Sequence, residues 1–196
     1  MSVPPSPRSR RLDPRRRERI VDAALDVIAS EGVAGISHRK VAAAADVPLG
    51  SMTYHFTGID QLIHEAFTRF ATSVSDQIGQ RMLTAQTRDD AVDALVAHID
   101  DDLFGSRRDL VLTHELYTLA AHDDRYRLLT TDWMKRSRSA LERHFDPTAA
   151  RILDALVEGL TVHRALDLEA VPPGLARRAV SLVVGNERRF DEPTRQ

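Results

Sequence analysis

The chain has 196 residues, of which 42% are hydrophobic and 29% charged, with a formal net charge of −2, as expected for a soluble globular protein of one or two domains. No apolar run approaches the ~20 residues of a membrane span, and the first residues lack the apolar core of a secretory signal peptide. The absence of cysteine excludes a disulfide framework, a thiol nucleophile and a thiolate metal site, and it fits a reducing, cytoplasmic location.

Basic charge is concentrated at the start of the chain. Residues 1–20 hold seven arginines against Asp13 and Glu18, whereas residues 61–196 carry eighteen basic and twenty-two acidic side chains. Segment 1–13, rich in Pro, Ser and Arg, is predicted to be a disordered basic arm. This asymmetry indicates nucleic acid or an anionic surface as the partner, although a solvated tail would have the same composition.

Helical periodicity begins directly after the arm. A first helix is predicted from Pro14, with Asp13 as its N-cap, because apolar residues recur with helical spacing from Ile20 to Ile28. Ser37 is expected to cap a second, short helix over roughly 37–45. After a tight turn, a third short helix is predicted from Leu49 to about His55. The remaining predicted helices span 59–82, 88–104, 107–121, 124–145, 147–167 and 173–185.

The predicted fold class is all-α, because no run of alternating β-branched residues is long enough to form a strand. We expect three segments. After the arm, residues 14–58 form a domain of three helices. Residues 59–196 then form a longer helical body.

Two neighbouring short helices joined by a tight turn are typical of a helix-turn-helix. The start of the second helix presents hydroxyl and basic groups suited to phosphate. The third enters the major groove, where a small glycine permits close approach and hydroxyl and apolar groups meet base edges. The predicted DNA-binding residues are Ser37, His38, Arg39, Lys40, Pro48, Leu49, Gly50, Ser51, Thr53, Tyr54 and His55.

A set of spaced residues runs from this segment into the fourth helix. Its members are Gly35, Ser37, Val41, Ala42, Ala45, Val47, Pro48, Gly50, Ser51, Tyr54, His55, Phe56, Asp60 and Leu62. Over about residues 15–65 this combination resembles the signature of tetracycline-repressor-type (TetR family) transcriptional regulators. The resemblance implies that residues 14–58 are a three-helix helix-turn-helix DNA-binding domain and that residues 59–196 are a helical ligand-binding and dimerisation domain. It also implies a homodimer that binds a pseudo-palindromic DNA operator, most often as a repressor, and is released by a small-molecule effector.

Residue roles follow from the same resemblance. It implies that Leu49, Gly50 and Thr53 face base edges, and that Phe56 plugs the space between the third helix and the domain core. It also implies that the backbone phosphates are held by Ser37, Ser51, Tyr54 and His55.

The sequence departs from the family pattern at three positions. Asp46 stands where the family often has glycine, and Thr53 stands where tyrosine is common, which should change base preference. Ile59 replaces a lysine that contacts phosphate in relatives, and we expect the arginine-rich arm to compensate. This replacement alone supports the alternative function, a helical protein–protein adaptor that kept the fold but lost DNA binding.

Enzyme motifs are incomplete in this sequence. Two HExxH-like starts lack the second histidine, because Thr68 and Thr118 occupy its position. No P-loop, dinucleotide-binding glycine pattern or nucleophile elbow occurs, and no two histidines stand four residues apart. We therefore predict neither an enzyme nor a cofactor or metal site.

The helical body is expected to hold the effector between its helices. Aromatic, methionine and histidine residues on predicted inner faces are the candidates, although each of them could also be an ordinary core residue. The predicted ligand-binding residues are Phe67, Phe70, His98, Phe104, His114, Tyr117, Trp133, Met134 and His163.

The last two helices carry strong apolar stripes, and in relatives the corresponding pair meets its symmetry mate in a four-helix bundle. The same arrangement is predicted here, and the fourth helix is predicted to transmit the effect of ligand to the DNA-binding domain. The predicted dimer-interface residues are Leu153, Leu156, Val157, Leu160, Leu175, Ala179, Leu182 and Val183.

Overall fold

The structure, a computed structural model, describes residues 15–102 and 106–185, and no strand occurs in these ranges. The all-α prediction is therefore confirmed. No helix in the described part is long and apolar enough to cross a membrane. The helices are α1 (Arg16–Glu31), α2 (His38–Ala44), α3 (Gly50–His55), α4 (Ile59–Thr84), α5 (Arg88–Ala97), α6 (Arg107–His122), α7 (Asp124–Leu141), α8 (Pro147–Leu166) and α9 (Leu175–Gly185).

Two helix ends differ from the sequence prediction. The helix α5 stops at Ala97 and continues as a π-helical turn, His98–Asp102. The helix α7 stops at Leu141 rather than near residue 145, because tertiary contacts take over: the His144 ring is hydrogen-bonded to the Met82 carbonyl (2.9 Å) and Phe145 is buried. Position 104, the end predicted for the fifth helix, lies outside the described residues.

The helix α1 begins at Arg16, and its N-cap residue Arg15 makes no side-chain capping hydrogen bond. Asp13 and Pro14, predicted to start this helix, lie outside the described residues, as does the predicted arm. The helices α5 and α8, by contrast, begin with side-chain caps. Thr87 and Asp90 form a capping box, and Asp146 accepts hydrogen bonds from two main-chain N–H groups of the first turn of α8.

The chain divides into two compact units, one up to Phe67 and one from Thr68 onward. The core of the first unit is formed by apolar side chains of α1, α2, α3 and the first turns of α4. Its fully buried members include Ile20, Ile28, Val41, Met52 and Leu62.

The second unit is built from the rest of α4 and from α5 to α9. In it α7 lies against both α6 and α8, and α9 lies against α5 and α8. Its core contains fully buried leucines from α5, α6 and α8. They are Leu95, Leu112, Leu116 and Leu153.

Candidate DNA interface and ligand cavity

The turn between α2 and α3 is a Schellman motif with an aspartate in the left-handed position. Asp46 has φ of 49°, and its N–H donates to the Ala43 carbonyl (3.3 Å), while Val47 N–H donates to the Ala42 carbonyl (3.0 Å). Aspartate tolerates this conformation better than most residues, although glycine is the usual choice. This geometry explains why the family pattern favours glycine there.

The start of α2 is capped as predicted. Ser37 Oγ accepts a hydrogen bond from the Lys40 main-chain N–H at 3.4 Å. The Lys40 ammonium donates to the Gly35 carbonyl (2.7 Å) and forms an ion pair with Glu31. Lys40 is therefore engaged within the protein, whereas the Arg39 side chain is exposed.

The helix α3 is buried on one side and open on the other. Met52 and Phe56 are almost completely buried, whereas Leu49 is 55% and Tyr54 82% exposed. Large apolar and aromatic side chains that are exposed within one short segment favour a contact surface. Pro48, Gly50 and Thr53 are exposed as well.

Two members of the predicted interface are less open. Ser51 is only 9% exposed. The His55 ring lies edge-on to Tyr54, with centroids 4.9 Å apart. Burial, together with the charges of Arg16 and Arg17, lowers the pKa of His55 below its usual value.

Arg17 joins α1 to the elements that flank α3. Its guanidinium lies 5.0 Å from the centre of the Phe56 ring and forms a two-pronged ion pair with Glu65, with 2.6 Å between Nη2 and Oε2. The predicted plug, Phe56, is thus buried in the first unit and covered by a cation.

The second unit contains a cavity that is partly open to solvent. About 530 Å³ of space free of protein atoms lies within it, and this volume includes the open part. Residues from α4 to α8 and from the π-helical turn line it. They are Val74, Ile78, Leu95, His98, Tyr117, Trp133, Met134, Ser137, Leu141, Asp154, Val157 and Glu158.

Aromatic rings form one side of this cavity. The rings of Tyr117 and Trp133 are stacked, with centroids 6.0 Å apart and planes inclined by 20°. Phe70 meets Trp133 edge to face, also at 6.0 Å, which holds the indole in place. A flat aromatic surface therefore stands at the cavity.

Two carboxylates of α8, one helical turn apart, complete the lining. Burial raises the pKa of Asp154 to about 6, although Arg138 lies 3.7 Å away and acts in the opposite direction. Burial is also the main cause that raises the pKa of Tyr117, and the carboxylate of Glu158 acts in the same direction. Burial lowers the pKa of His98 to about 4, with Arg81 contributing, so this ring is neutral.

The predicted ligand residues separate into groups. His98, Tyr117, Trp133 and Met134 line the cavity. Phe67 and Phe70 are buried but do not line it. Phe104 lies outside the described residues.

The other two predicted histidines lie elsewhere. His114 is exposed and its Nδ1 is hydrogen-bonded to the Leu110 carbonyl of its own helix (2.8 Å). His163 is exposed and lines a second cavity beside the segment between α8 and α9.

The sequence analysis did not include Asp154 and Glu158, because it considered only aromatic, methionine and histidine residues as ligand candidates. Their spacing of four residues, which places both on one helix face, was the available signal. In the described ranges no group of three or more His, Cys, Asp or Glu residues could hold a metal ion.

The predicted dimer residues differ in exposure within one protomer. Leu153 and Val157 are buried, whereas Leu182 is 67% exposed. The other members are partly exposed: Leu156, Leu160, Leu175, Ala179 and Val183.

Comparison with known proteins gives consistent matches. Residues 20–66 match the family described as bacterial regulatory proteins, tetR family. A protein of Streptomyces coelicolor A3(2), designated a transcriptional regulator, is 53% identical; the match covers 87% of this chain and 99% of that chain, with a TM-score of 0.80. A TetR-family member from Streptomyces coelicolor A3 is 31% identical, with 87% and 99% covered and a TM-score of 0.69. The multidrug binding protein EbrR, complexed with ethidium, is 31% identical, with 86% and 98% covered and a TM-score of 0.70.

Proposed function

This chain belongs to the tetR family of bacterial regulatory proteins and is a DNA-binding transcriptional regulator, and we propose that it is a repressor whose DNA binding is relieved by a small molecule. Its relatives are regulators rather than enzymes. A regulator of this kind works beside the chromosome, and we accordingly place it in the cytoplasm.

The exposed face of α3 is the observation that carries the proposal. Tyr54 and Leu49 stay largely exposed while Met52 and Phe56 anchor the helix. In a helix-turn-helix such a face enters the major groove. The residues proposed to bind the operator are those predicted from the sequence, with Tyr54, Thr53, Leu49 and Gly50 as the exposed centre and Arg39 as the exposed cation near the start of α2.

We propose a homodimer formed through α8 and α9, whose partly exposed apolar residues would be covered by a second copy. Two-fold symmetry would place two α3 helices about one DNA turn apart, roughly 34 Å, and so would match a pseudo-palindromic operator.

Release by ligand follows from linkage. A ligand that prefers one arrangement of the dimer lowers DNA affinity by its differential affinity for that arrangement. The similar protein EbrR is known in complexes with ethidium, proflavin and malachite green, and the cavity of the second unit is the candidate ligand site. Coupling of about 1–3 kcal/mol would weaken DNA binding roughly 5- to 150-fold.

The test is DNA binding by the purified full chain, measured by fluorescence anisotropy on the DNA that flanks its own coding region. We expect affinity to fall steeply with salt and to drop on Tyr54→Ala and on removal of residues 1–13. The control is Leu128→Ala, which truncates an exposed residue of α7 and should leave affinity unchanged. A well-folded dimer without salt-dependent binding to this DNA would favour the adaptor function instead.

A further inference from the structure

Arg17 contacts two elements that flank the exposed face of α3. Its guanidinium donates through both terminal nitrogens to the two carboxylate oxygens of Glu65 in α4, with 2.6 Å between Nη2 and Oε2. The same guanidinium lies 5.0 Å from the centre of the Phe56 ring, and Phe56 directly follows α3 as its C-cap. One side chain of α1 therefore connects the end of α3 to α4.

From Phe56 the contacts continue to the exposed face of α3. The centres of the Phe56 and His55 rings lie 6.3 Å apart, and the His55 ring lies edge-on to Tyr54 at 4.9 Å. Tyr54 is 82% exposed, whereas Phe56 is buried. A series of contacts thus runs from Glu65 through Arg17 to the most exposed ring of α3.

This pair of contacts requires arginine. The planar guanidinium presents two N–H groups to a carboxylate and its face to an aromatic ring at the same time, which the ammonium of lysine cannot do. The Arg17 side chain is 45% exposed and that of Glu65 is 29% exposed, so water screens the ion pair and it contributes little to the free energy of unfolding. Such a contact affects the orientation of the helices more than the stability of the fold.

We propose that Arg17 is a positioning residue for DNA binding, which holds Phe56 and Glu65 so that α3 presents Tyr54 in the orientation that fits the major groove. Without these contacts the DNA-binding orientation is one of several that the free protein adopts, and selecting it on binding lowers the affinity. This role presupposes the DNA contact of α3 proposed above. It assigns Arg17 to contacts within the protein rather than to a DNA phosphate.

Glu65→Gln distinguishes positioning from charge. The variant removes one negative charge and releases Arg17, so a purely electrostatic role of Arg17 would give tighter operator binding. A positioning role gives the opposite sign, because the two-pronged contact is lost. We expect operator affinity of the full chain to fall about 2- to 5-fold, the range that an exposed ion pair contributes, in the anisotropy assay described above.

Two substitutions of Arg17 test the same role. Arg17→Lys keeps the charge without the planar fork and should not retain the affinity of the parent. Arg17→Met loses both contacts, and we expect affinity to fall about 3- to 30-fold. The slope of the logarithm of the association constant against that of the salt concentration should stay as in the parent, whereas loss of a phosphate contact would reduce it by about 0.9 for each contact.

The matched controls alter an exposed ion pair of α7 in the second unit, where Arg136 and Asp132 lie 2.5 Å apart. Asp132→Asn and Arg136→Lys make the same changes of charge and shape as Glu65→Gln and Arg17→Lys, and they should leave operator affinity unchanged. Circular dichroism and thermal unfolding show that each variant is folded at the temperature of the assay.

Three results would overturn the inference: tighter binding by Glu65→Gln, parental affinity in Arg17→Lys, or a reduced salt slope in Arg17→Met. A contact that serves the fold alone would lower the midpoint of thermal unfolding and leave the affinity of the folded variants as in the parent, which would also contradict the positioning role. If the parent itself did not bind this DNA, the proposed contact of α3 would fail first, and the role of Arg17 with it.

Discussion

The N–H of Val47 donates to the carbonyl of Ala42 across the Schellman turn, and Asp46, which lies before Val47, is held at φ of 49°. The chain therefore reverses between α2 and α3 through a residue that carries a Cβ in the left-handed region. We expect Asp46→Gly to raise the free energy of unfolding by about 0.5–1 kcal/mol, and Asp46→Val to lower it by about 1–2 kcal/mol.

Chemical denaturation monitored by circular dichroism measures both changes. The same substitution in a helix interior, Asp76→Gly, is the matched control and should lower the free energy of unfolding by about 0.3 kcal/mol. Destabilisation by Asp46→Gly would contradict the role given to the turn.

A substitution at Gly50 can test the proposed DNA contact without disturbing the fold. A Cβ built there meets no atom within 4 Å, so Gly50→Ala should leave the protein at least as stable as the parent. On DNA the same methyl group would occupy the space in which the start of α3 approaches the duplex, and we expect at least a tenfold loss of operator affinity.

Gly79→Ala is the control for this experiment, since Gly79 lies inside α4 and is equally unobstructed. It should raise stability by up to about 1 kcal/mol without changing DNA affinity. Unchanged operator binding by Gly50→Ala would indicate that α3 does not approach DNA at that residue.

His98 makes the protein sensitive to acid. Its pKa falls from 6.5 to about 4 on burial, so the folded state disfavours its protonation. Below pH 6.5 the histidine of the unfolded chain takes up a proton, whereas the buried ring stays neutral until the pH approaches 4. The free energy of unfolding is therefore highest above pH 6.5 and falls by up to roughly 3 kcal/mol as the pH decreases toward 4.

Thermal unfolding between pH 7 and 4 measures this dependence. His98→Leu should flatten the decline whatever its effect at pH 7, whereas His114→Gln, a change at an exposed histidine, should leave the slope as in the parent. If His98→Leu left the slope unchanged, the buried His98 ring would not be the cause of the loss of stability in acid.

If the cavity binds a cation such as ethidium, which the similar protein EbrR binds, Asp154 should make that binding depend on pH. Burial raises its pKa to about 6 against the opposing charges of Arg138 and Arg151, and Glu158 acts with burial; Tyr117 also faces the group. A bound cation favours the ionised carboxylate, so ethidium affinity should be constant above pH 7 and decline as the pH falls below 6.

Titrations of Trp133 fluorescence at pH 5 to 8 test this coupling. In Asp154→Asn the affinity should be lower and should lose this step near pH 6, whereas Asp76→Asn should retain the step. A pH profile that is the same in the parent and in Asp154→Asn would remove Asp154 from the binding reaction.

Local sequence patterns predicted the elements that depend on local physics. The periodicity of α1 to α4 and the cap at Ser37 were readable, because propensity, capping and amphipathicity act within a few residues. The end of α7 was not, since the contact of His144 with Met82 joins residues 62 positions apart.

In the cavity, too, only the features that are visible in the local sequence were predicted. Trp133 and Tyr117 were candidates because aromatic side chains on inner faces are recognisable. Asp154 and Glu158 were overlooked, because the burial of a carboxylate depends on helices distant in sequence. Only the packed helices show that these two face the aromatic rings.

Leu182 keeps 67% of its side chain exposed, although α9 buries Val180 on its other side. In the proposed homodimer that leucine is covered only when two molecules associate. The fraction of the protein that is dimeric, and so able to regulate, then depends on its concentration. Below the dimer dissociation constant, halving the amount of protein leaves about a quarter of the dimers, so copy number per cell becomes a second control on transcription alongside the effector.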